Sequence, residues 1–247
     1  MQPYHKAMQP ILGYCRRVVT DYNMIEDGDR VAVGVSGGKD SVALLVALCR
    51  LREIVTASYE IIALTIDPCF GGNETDYSPV TELCVQLGIQ HVIKRSELGQ
   101  IIFEDRKESN PCSLCARMRR GMLHDMANQN NCNKVALGHN SDDAVETLMM
   151  NLFHEGRIGC FQPVTWLSRK EITVIRPLVY APEREIRNAV ANAGLPVVKS
   201  CCPVDGATSR EKMKKFLLEM EQNEFPRLRK KLLGALRRSG IDNWREE

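Results

Sequence analysis

Three groups of residues in this chain have types and spacings that could do chemistry. The first is Ser36-Gly37-Gly38-Lys39-Asp40-Ser41, directly after the apolar run Val31-Ala32-Val33-Gly34-Val35. Glycine there lets backbone N–H groups approach a ligand closely. A helix opening at Lys39 points its positive end at the same place, and Lys39 adds a mobile positive charge, so the stretch reads as a phosphate site. The second group is Gly138-His139-Asn140-Ser141-Asp142-Asp143-Ala144-Val145-Glu146-Thr147. A carboxylate pair such as Asp142 and Asp143 can hold Mg²⁺ beside a triphosphate while the metal keeps several waters. Acids in a first helical turn also complement the helix dipole with no metal present. The third is Cys112-Ser113-Leu114-Cys115, two thiols at i and i+3 on one face of a helix start, where thiolates are favoured. Arg117, Arg119 and Arg120 follow. Alone, the pair could be a redox couple, half a zinc site or part of an iron–sulfur site. A metal site needs a further ligand, which Cys201-Cys202 could supply.

Two better-known phosphate motifs are absent. A P-loop needs glycine, four residues, then Gly-Lys-Ser/Thr; here Val33 stands five before Gly38 and Asp40 follows the lysine. The dinucleotide pattern G-x-G-x-x-G is missing as well. A thioredoxin-type redox site fits poorly, because the surrounding elements belong to the phosphate-binding sheet. Without a second C-x-x-C pair a closed four-thiolate zinc site is less natural. Three cysteines would leave one iron of a cubane without a protein ligand, which suits a cluster that binds an exogenous sulfur.

The elements that must position these groups follow from periodicity. Residues 1–24 read as a helix with an apolar stripe of Met8, Ile11, Leu12, Cys15, Val18, Val19 and Tyr22; His5 precedes it as a solvated or capping residue. Asp27-Gly28-Asp29 turns into the first strand, Val31–Val35, and a helix follows to Arg52. Strands are expected at Tyr59–Ile66, Gln90–Lys94, Lys134–Leu137 and Ile172–Ile175, the last pairing with Phe161–Trp166. Helices are expected at Pro79–Leu87 and Pro111–Asn128, and from Pro182 to Gly194. Another, of about 13 residues, is capped by Ser141. Thr208 with Glu211 makes a capping-box pattern for a further helix, and a basic helix runs from Phe225 to Arg238. The segment Ser96–Asn110 reads as irregular and charged. Alternating strands and helices give an α/β fold with a doubly wound parallel sheet. Residues past strand ends face the ligand in such sheets, so Leu64 and Asp67 are candidate adenosine contacts. The expected organisation is a helical segment 1–28, a nucleotide-binding domain 29–200 carrying the C-x-x-C helix, and a C-terminal cysteine and basic helical segment 201–247 packed on that domain.

With 44% hydrophobic and 26% charged residues among 247, the chain has the composition of a globular protein. A formal net charge of +2 does not by itself announce a polyanionic partner. Charge is uneven, however: between Arg210 and Arg238 ten Lys/Arg stand against four Glu. No signal peptide and no membrane-length apolar run is visible, so a cytoplasmic protein without membrane association is expected. Ten cysteines in a reducing compartment suggest that some bind something. Cys49, Cys84, Cys132 and Cys160 read as small core hydrophobes and Cys15 as part of an apolar helix face.

Ser36-Gly37-Gly38-Lys39-Asp40-Ser41 resembles the signature of the PP-loop ATP pyrophosphatases, which cleave ATP between the α and β phosphates and adenylate their substrate. Gly138 through Asn151 resembles the G-H-x-x-D-D-x-x-E-T-x-x-x-N motif of their tRNA-modifying members. With Cys112, Cys115 and a late cysteine, the chain resembles the TtcA-like family that makes 2-thiocytidine in tRNA, from about Tyr14 to Phe225 and including Arg176-Pro177-Leu178. That resemblance implies ATP contacts at Ser36, Gly37, Gly38, Lys39, Asp40, Ser41, Leu64, Asp67, Gly138 and His139. It implies catalytic roles for Lys39, Asp40 and Asp143, and Mg²⁺ near Asp142 and Asp143. It implies a [4Fe–4S] cluster on Cys112, Cys115 and Cys202, with Cys201 as the runner-up; where the family shows C-x-x-C-G, this chain has Cys202-Pro203-Val204-Asp205-Gly206. RNA contacts are expected at Arg210, Lys214, Lys215, Arg229 and Lys230. The implied activity is ATP-dependent tRNA thiolation at C2 of a cytidine, position 32, by a homodimer supplied by a sulfur donor such as a cysteine desulfurase. The alternatives are a relative acting on a uridine or a small molecule, and a non-catalytic nucleotide-binding iron–sulfur sensor.

Overall fold

Val31, Ala32 and Val33 are completely buried. A strand buried on both faces needs helices on both sides of its sheet. The computed structural model, which describes residues 6–106, 111–199, 201–204 and 208–245, has this layering. Six strands form one sheet: β1 (Arg30–Gly34), β2 (Glu60–Asp67), β3 (Gln90–Arg95), β4 (Lys134–Ala136), β5 (Val164–Leu167) and β6 (Ile172–Ile175). Their order is β3-β2-β1-β4-β6-β5. All pairings are parallel except the terminal hairpin, where Val164 stands opposite Ile175. The doubly wound parallel sheet expected from the alternation of elements is therefore present.

On one face α1 (Gln9–Asp21), α2 (Lys39–Leu51), α3 (Ser78–Gln86) and α7 (Glu183–Asn192) bury Ile11, Leu44, Leu45, Leu83 and Ile186 in one core. The stripe foreseen for α1 is buried from Met8 to Tyr22. On the other face α5 (Pro111–Gln129) buries Leu123, Met126 and Ala127 against Ala32, Ile62 and Val135. α6 (Ser141–His154) packs on α8 (Ser209–Asn223) and α9 (Leu228–Ser239), with Val145, Met213 and Leu217 between them. Trp244 and Leu236 join the same core as α1 and α2.

Some local expectations change. The segment after β3 is helical rather than irregular, with α4 (Leu98–Gln100) continuing into a π-turn at Ile101–Asp105. Leu98 and Ile102, four apart among charged residues, are both buried and hold it to the core. The cap of α6 is Asn140 and not Ser141: the Asn140 side chain accepts from the amides of Asp142 and Asp143, and Asp143 accepts from the Asn140 amide. At α8 Thr208 accepts from the Glu211 amide as expected of a cap. His5, Asp205, Gly206 and residues 107–110 lie outside the described residues.

From β1 the sheet runs to β2 and β3 on one side and to β4 and β6 on the other. The crevice of such a sheet lies at this switch point, beyond the carboxyl ends of the strands. The loops after β1 and β4 are the two motif-bearing loops, so the topology sets them side by side.

Candidate active site

The loop after β1 is shaped by Gly37, whose φ of +82° lies in the left-handed region. Gly38 then caps α2 in extended conformation. Ser41 braces the turn from inside: its hydroxyl donates to the Gly38 carbonyl at 2.8 Å and accepts from the Ser36 amide at 3.2 Å. The first amides of α2 are left facing the crevice, as an anion requires. Lys39 Nζ lies 2.8 Å from Asp40 and 2.9 Å from Glu183. Burial works to lower the pKa of that ammonium, but the bonds and charges of Asp40 and Glu183 outweigh it and raise it. Lys39 is thus a fixed cation.

The loop after β4 meets the first loop backbone to backbone. A Cβ on Gly138 would stand 3.1 Å from the Asp40 carbonyl and the Ser41 nitrogen, so a side chain there would push the two loops apart by a few tenths of an ångström. Asn140 ties the loops together: its amide side chain donates to Asp40 Oδ1 at 3.1 Å, and its backbone N–H donates to Asp143 Oδ2 at 2.9 Å. Asp40 and Asp143 therefore flank one asparagine. Burial raises the pKa of Asp143, opposed by the Asn140 amide and Arg210. His139 lies half-buried against the Phe161 ring, centroids 5.0 Å apart. Burial, and then the positive charges of Arg176, Arg210 and Arg120, pull its pKa down to about 3, so it is neutral at physiological pH.

Between the loops lies a pocket of about 350 Å³. Ser36, Asp40 and Ser41 line one side, Gly138 and His139 another, and Leu64 and Ile66 of β2 the floor. α5 closes it with Ala116, Arg119 and Arg120. Asp67, expected beside adenosine, is committed elsewhere. It is completely buried and accepts from the amides of Cys69 and Thr75, pinning the loop after β2.

Asp142, expected near Mg²⁺, also turns away. Its Oδ2 accepts from the Glu183 amide at 2.7 Å and its Oδ1 faces Arg229 at 2.6 Å, which ties α6 to α7 and α9. The acid on the pocket wall is Asp40, and Asp143 is joined to it through Asn140. Among the described residues no group of three His, Cys, Asp or Glu side chains could hold a metal ion. Mg²⁺ arriving with ATP needs no preformed cage, because one or two carboxylates plus phosphates suffice.

Three of the five residues expected to contact RNA are engaged internally. Arg210 reaches Asp143 and Glu146, Lys214 pairs with Glu183 at 2.7 Å, and Arg229 pairs with Asp142 and Glu221. Lys215 and Lys230 are exposed. Glu183 was not singled out from sequence, although it links Lys39 and Lys214. Burial raises its pKa, but the bonds from Lys214 and Lys39 prevail and bring it to about 2. An acid just after Pro182 is the only signal, and that reads as ordinary helix-start chemistry.

The thiols gather at the mouth of α5. Burial raises the pKa of Cys115, the Arg119 guanidinium opposes this, and the negative charges of Cys202 and Cys112 add to the rise. Cys115 therefore stands within electrostatic reach of both. Cys201 instead acts on Tyr77, whose pKa is raised by burial and Asp67, lowered by Arg119 and raised again by Cys201. Cys112 is exposed, and Cys115 and Cys202 are half-buried. Each thiolate of a cluster holds a different iron, so its ligands stand further apart than those of a single zinc ion. The three thiols are thus neighbours on the electrostatic evidence of Cys115, with no closed metal site among the described residues.

A family model described as the PP-loop domain matches residues 14–220. The chain is 43% identical over 223 residues to a tRNA-cytidine(32) 2-sulfurtransferase of Geotalea uraniireducens, covering 89% of this chain and 87% of that protein. It is also 43% identical to one of Geobacter sulfurreducens, with 89% and 86% covered. Its fold is similar to that of the U34-tRNA thiolase NcsA from Methanococcus maripaludis, solved with its [4Fe–4S] cluster. The TM-score is 0.72 with 24% identity, over 90% of this chain and 76% of that one.

Proposed function

This chain belongs to the PP-loop family, within it to the tRNA-cytidine(32) 2-sulfurtransferases, and on that premise we propose the reaction of its crevice as ATP-dependent thiolation at C2 of cytidine 32 of tRNA. The C2 oxygen attacks the α-phosphorus of ATP and pyrophosphate leaves. Sulfur then takes the place of the adenylated oxygen, and AMP departs.

The observation that carries this reading is the backbone contact of Gly138 with Asp40 and Ser41. It supports the reading because Ser36, Asp40, Ser41 and the neutral His139 line one pocket, with Asp143 joined to Asp40 through Asn140. Lys39 and the first amides of α2 would bear on the phosphates, where charge moves to the leaving pyrophosphate. Asp143 and Asp40 would hold Mg²⁺, which would offset charge on the phosphates. His139, being neutral, can offer a hydrogen bond without adding charge. Leu64 and Ile66 give the nucleoside an apolar floor.

Cys112, Cys115 and Cys202 would hold the [4Fe–4S] cluster, and with three protein ligands it would leave one iron able to bind inorganic sulfur. Arg119, on the pocket wall, opposes the rise that burial imposes on the Cys115 thiol. A sulfur donor of the cysteine desulfurase class, a homodimeric state and a cytoplasmic setting belong to the same proposal. The test is nucleoside analysis of tRNA from cells with and without this protein, alongside tRNA-dependent pyrophosphate release in vitro. Unchanged 2-thiocytidine would overturn the substrate, and ATP binding without pyrophosphate release would indicate a sensor.

A further inference from the structure

A second cavity, about 880 Å³ against about 350 Å³ for the nucleotide pocket, opens where α1, α7 and α9 face one another. Its inner end reaches Ser141 and Asp142, which adjoin Asn140 and Asp143 of the crevice. Its walls carry Arg17, Arg184, Arg227, Lys230, Arg237 and Arg238 in addition to Arg229.

The acids of the same walls are occupied. Asp142 and Glu221 are both taken by Arg229. Glu185 accepts from the Tyr14 hydroxyl at 3.2 Å. Arg17 has only a distant partner, Asp21 at 3.9 Å. Arg184, Arg227 and Lys230 have no acid partner among the described residues and are exposed. Arg237 lies over the Tyr180 ring at 4.3 Å, and its buried Nε has no acceptor among the described residues. Such a guanidinium, desolvated and stacked but short of an acceptor, is set to receive an anionic oxygen.

We propose that this basic groove, rather than the ion-paired side chains of Arg210 and Lys214, binds the sugar-phosphate backbone of the tRNA. The proposal rests on tRNA being the substrate. Arginine-rich composition suits phosphate recognition, which positions a nucleic acid without reading its sequence. The concave shape fits a rounded polyanion better than a flat anionic membrane.

The experiment measures binding of bulk tRNA by fluorescence anisotropy between about 50 and 200 mM salt. It compares the wild type, the double variant Arg184→Glu with Lys230→Glu, and Arg52→Glu at the far end of α2. The double variant should bind at least ~10-fold more weakly, and its log–log salt slope should fall by about 1.5–2. Arg52→Glu should bind as the wild type does, and both variants should keep ATP binding. In the unaltered protein, hydrogen exchange in α1, α7 and α9 should slow when tRNA is added. Equal affinity of wild type and double variant, an equal loss in Arg52→Glu, or no slowing in those helices would overturn the groove. A wild type that binds ATP but no tRNA would instead overturn the substrate, and the groove with it.

Discussion

The backbone amide of Val198 donates to the carbonyl of Gly37 at 2.9 Å. The segment leading to Cys201 and Cys202 is thereby fastened to the phosphate loop, so one hydrogen bond joins the ATP half of the site to the thiol half. Gly37→Ala should damage both halves. A Cβ there would stand 2.7 Å from Val198 Cβ, and the φ of +82° costs an alanine about 1–2 kcal/mol. Pyrophosphate release and iron content after anaerobic reconstitution should fall together; loss of one alone would show that the two halves are independent.

The cysteines give a sharper separation. Cys202→Ala should lose the visible absorbance of an iron–sulfur cluster, whereas Cys201→Ala should retain it, since Cys202 is the late cysteine whose charge acts on Cys115. The reverse pattern of spectra would exchange their roles.

Lys39→Ala should lower the rate of adenylation by about 10²–10³, the loss seen when one preorganised charge-stabilising group is removed. It should leave iron content unchanged. Turnover within a few-fold of wild type would remove Lys39 from the chemistry.

Much of this was legible in the sequence, and what was not has a physical cause. The phosphate loop and the Gly138 loop could be read because each couples glycine to a strand end, a local pattern. The partners of Lys39 could not: Glu183 arrives from α7, and its ordinary place after Pro182 conceals the bond to Lys39. Asp142 and Asp143 look equivalent in sequence, yet successive helical residues point in different directions, so one meets Asn140 and the other Arg229. The basic C-terminal segment reads as a run of charge until packing shows which of its members already have acids. Asn140 and Ser141 are both good caps at adjacent positions, so sequence alone does not separate them.

Asn140→Ala should cost about 1–2 kcal/mol from the lost cap alone, read by chemical denaturation. Because Asn140 also holds Asp40 and Asp143, ATP turnover should fall more than stability explains. Activity that tracks only the folded fraction would reduce Asn140 to a cap.

His139 sets a pH signature. Its folded pKa of about 3 lies below the unfolded value near 6.5, so the unfolded chain binds the additional proton between those limits. The contribution is fully present above about pH 6.5 and is lost toward pH 3, at up to about 1.4 kcal/mol per pH unit. His139→Gln should flatten the acid side of the stability curve by that amount. A difference curve that is level across the window would mean that His139 titrates normally when folded.

Trp244 donates its ring N–H to the carbonyl of Phe161 at 2.8 Å, and Phe161 is the ring against which His139 lies. These contacts join residues 83 positions apart. The ring beside His139 is therefore held from the far end of the described chain, and the pocket's histidine side depends on a residue that neither motif contains.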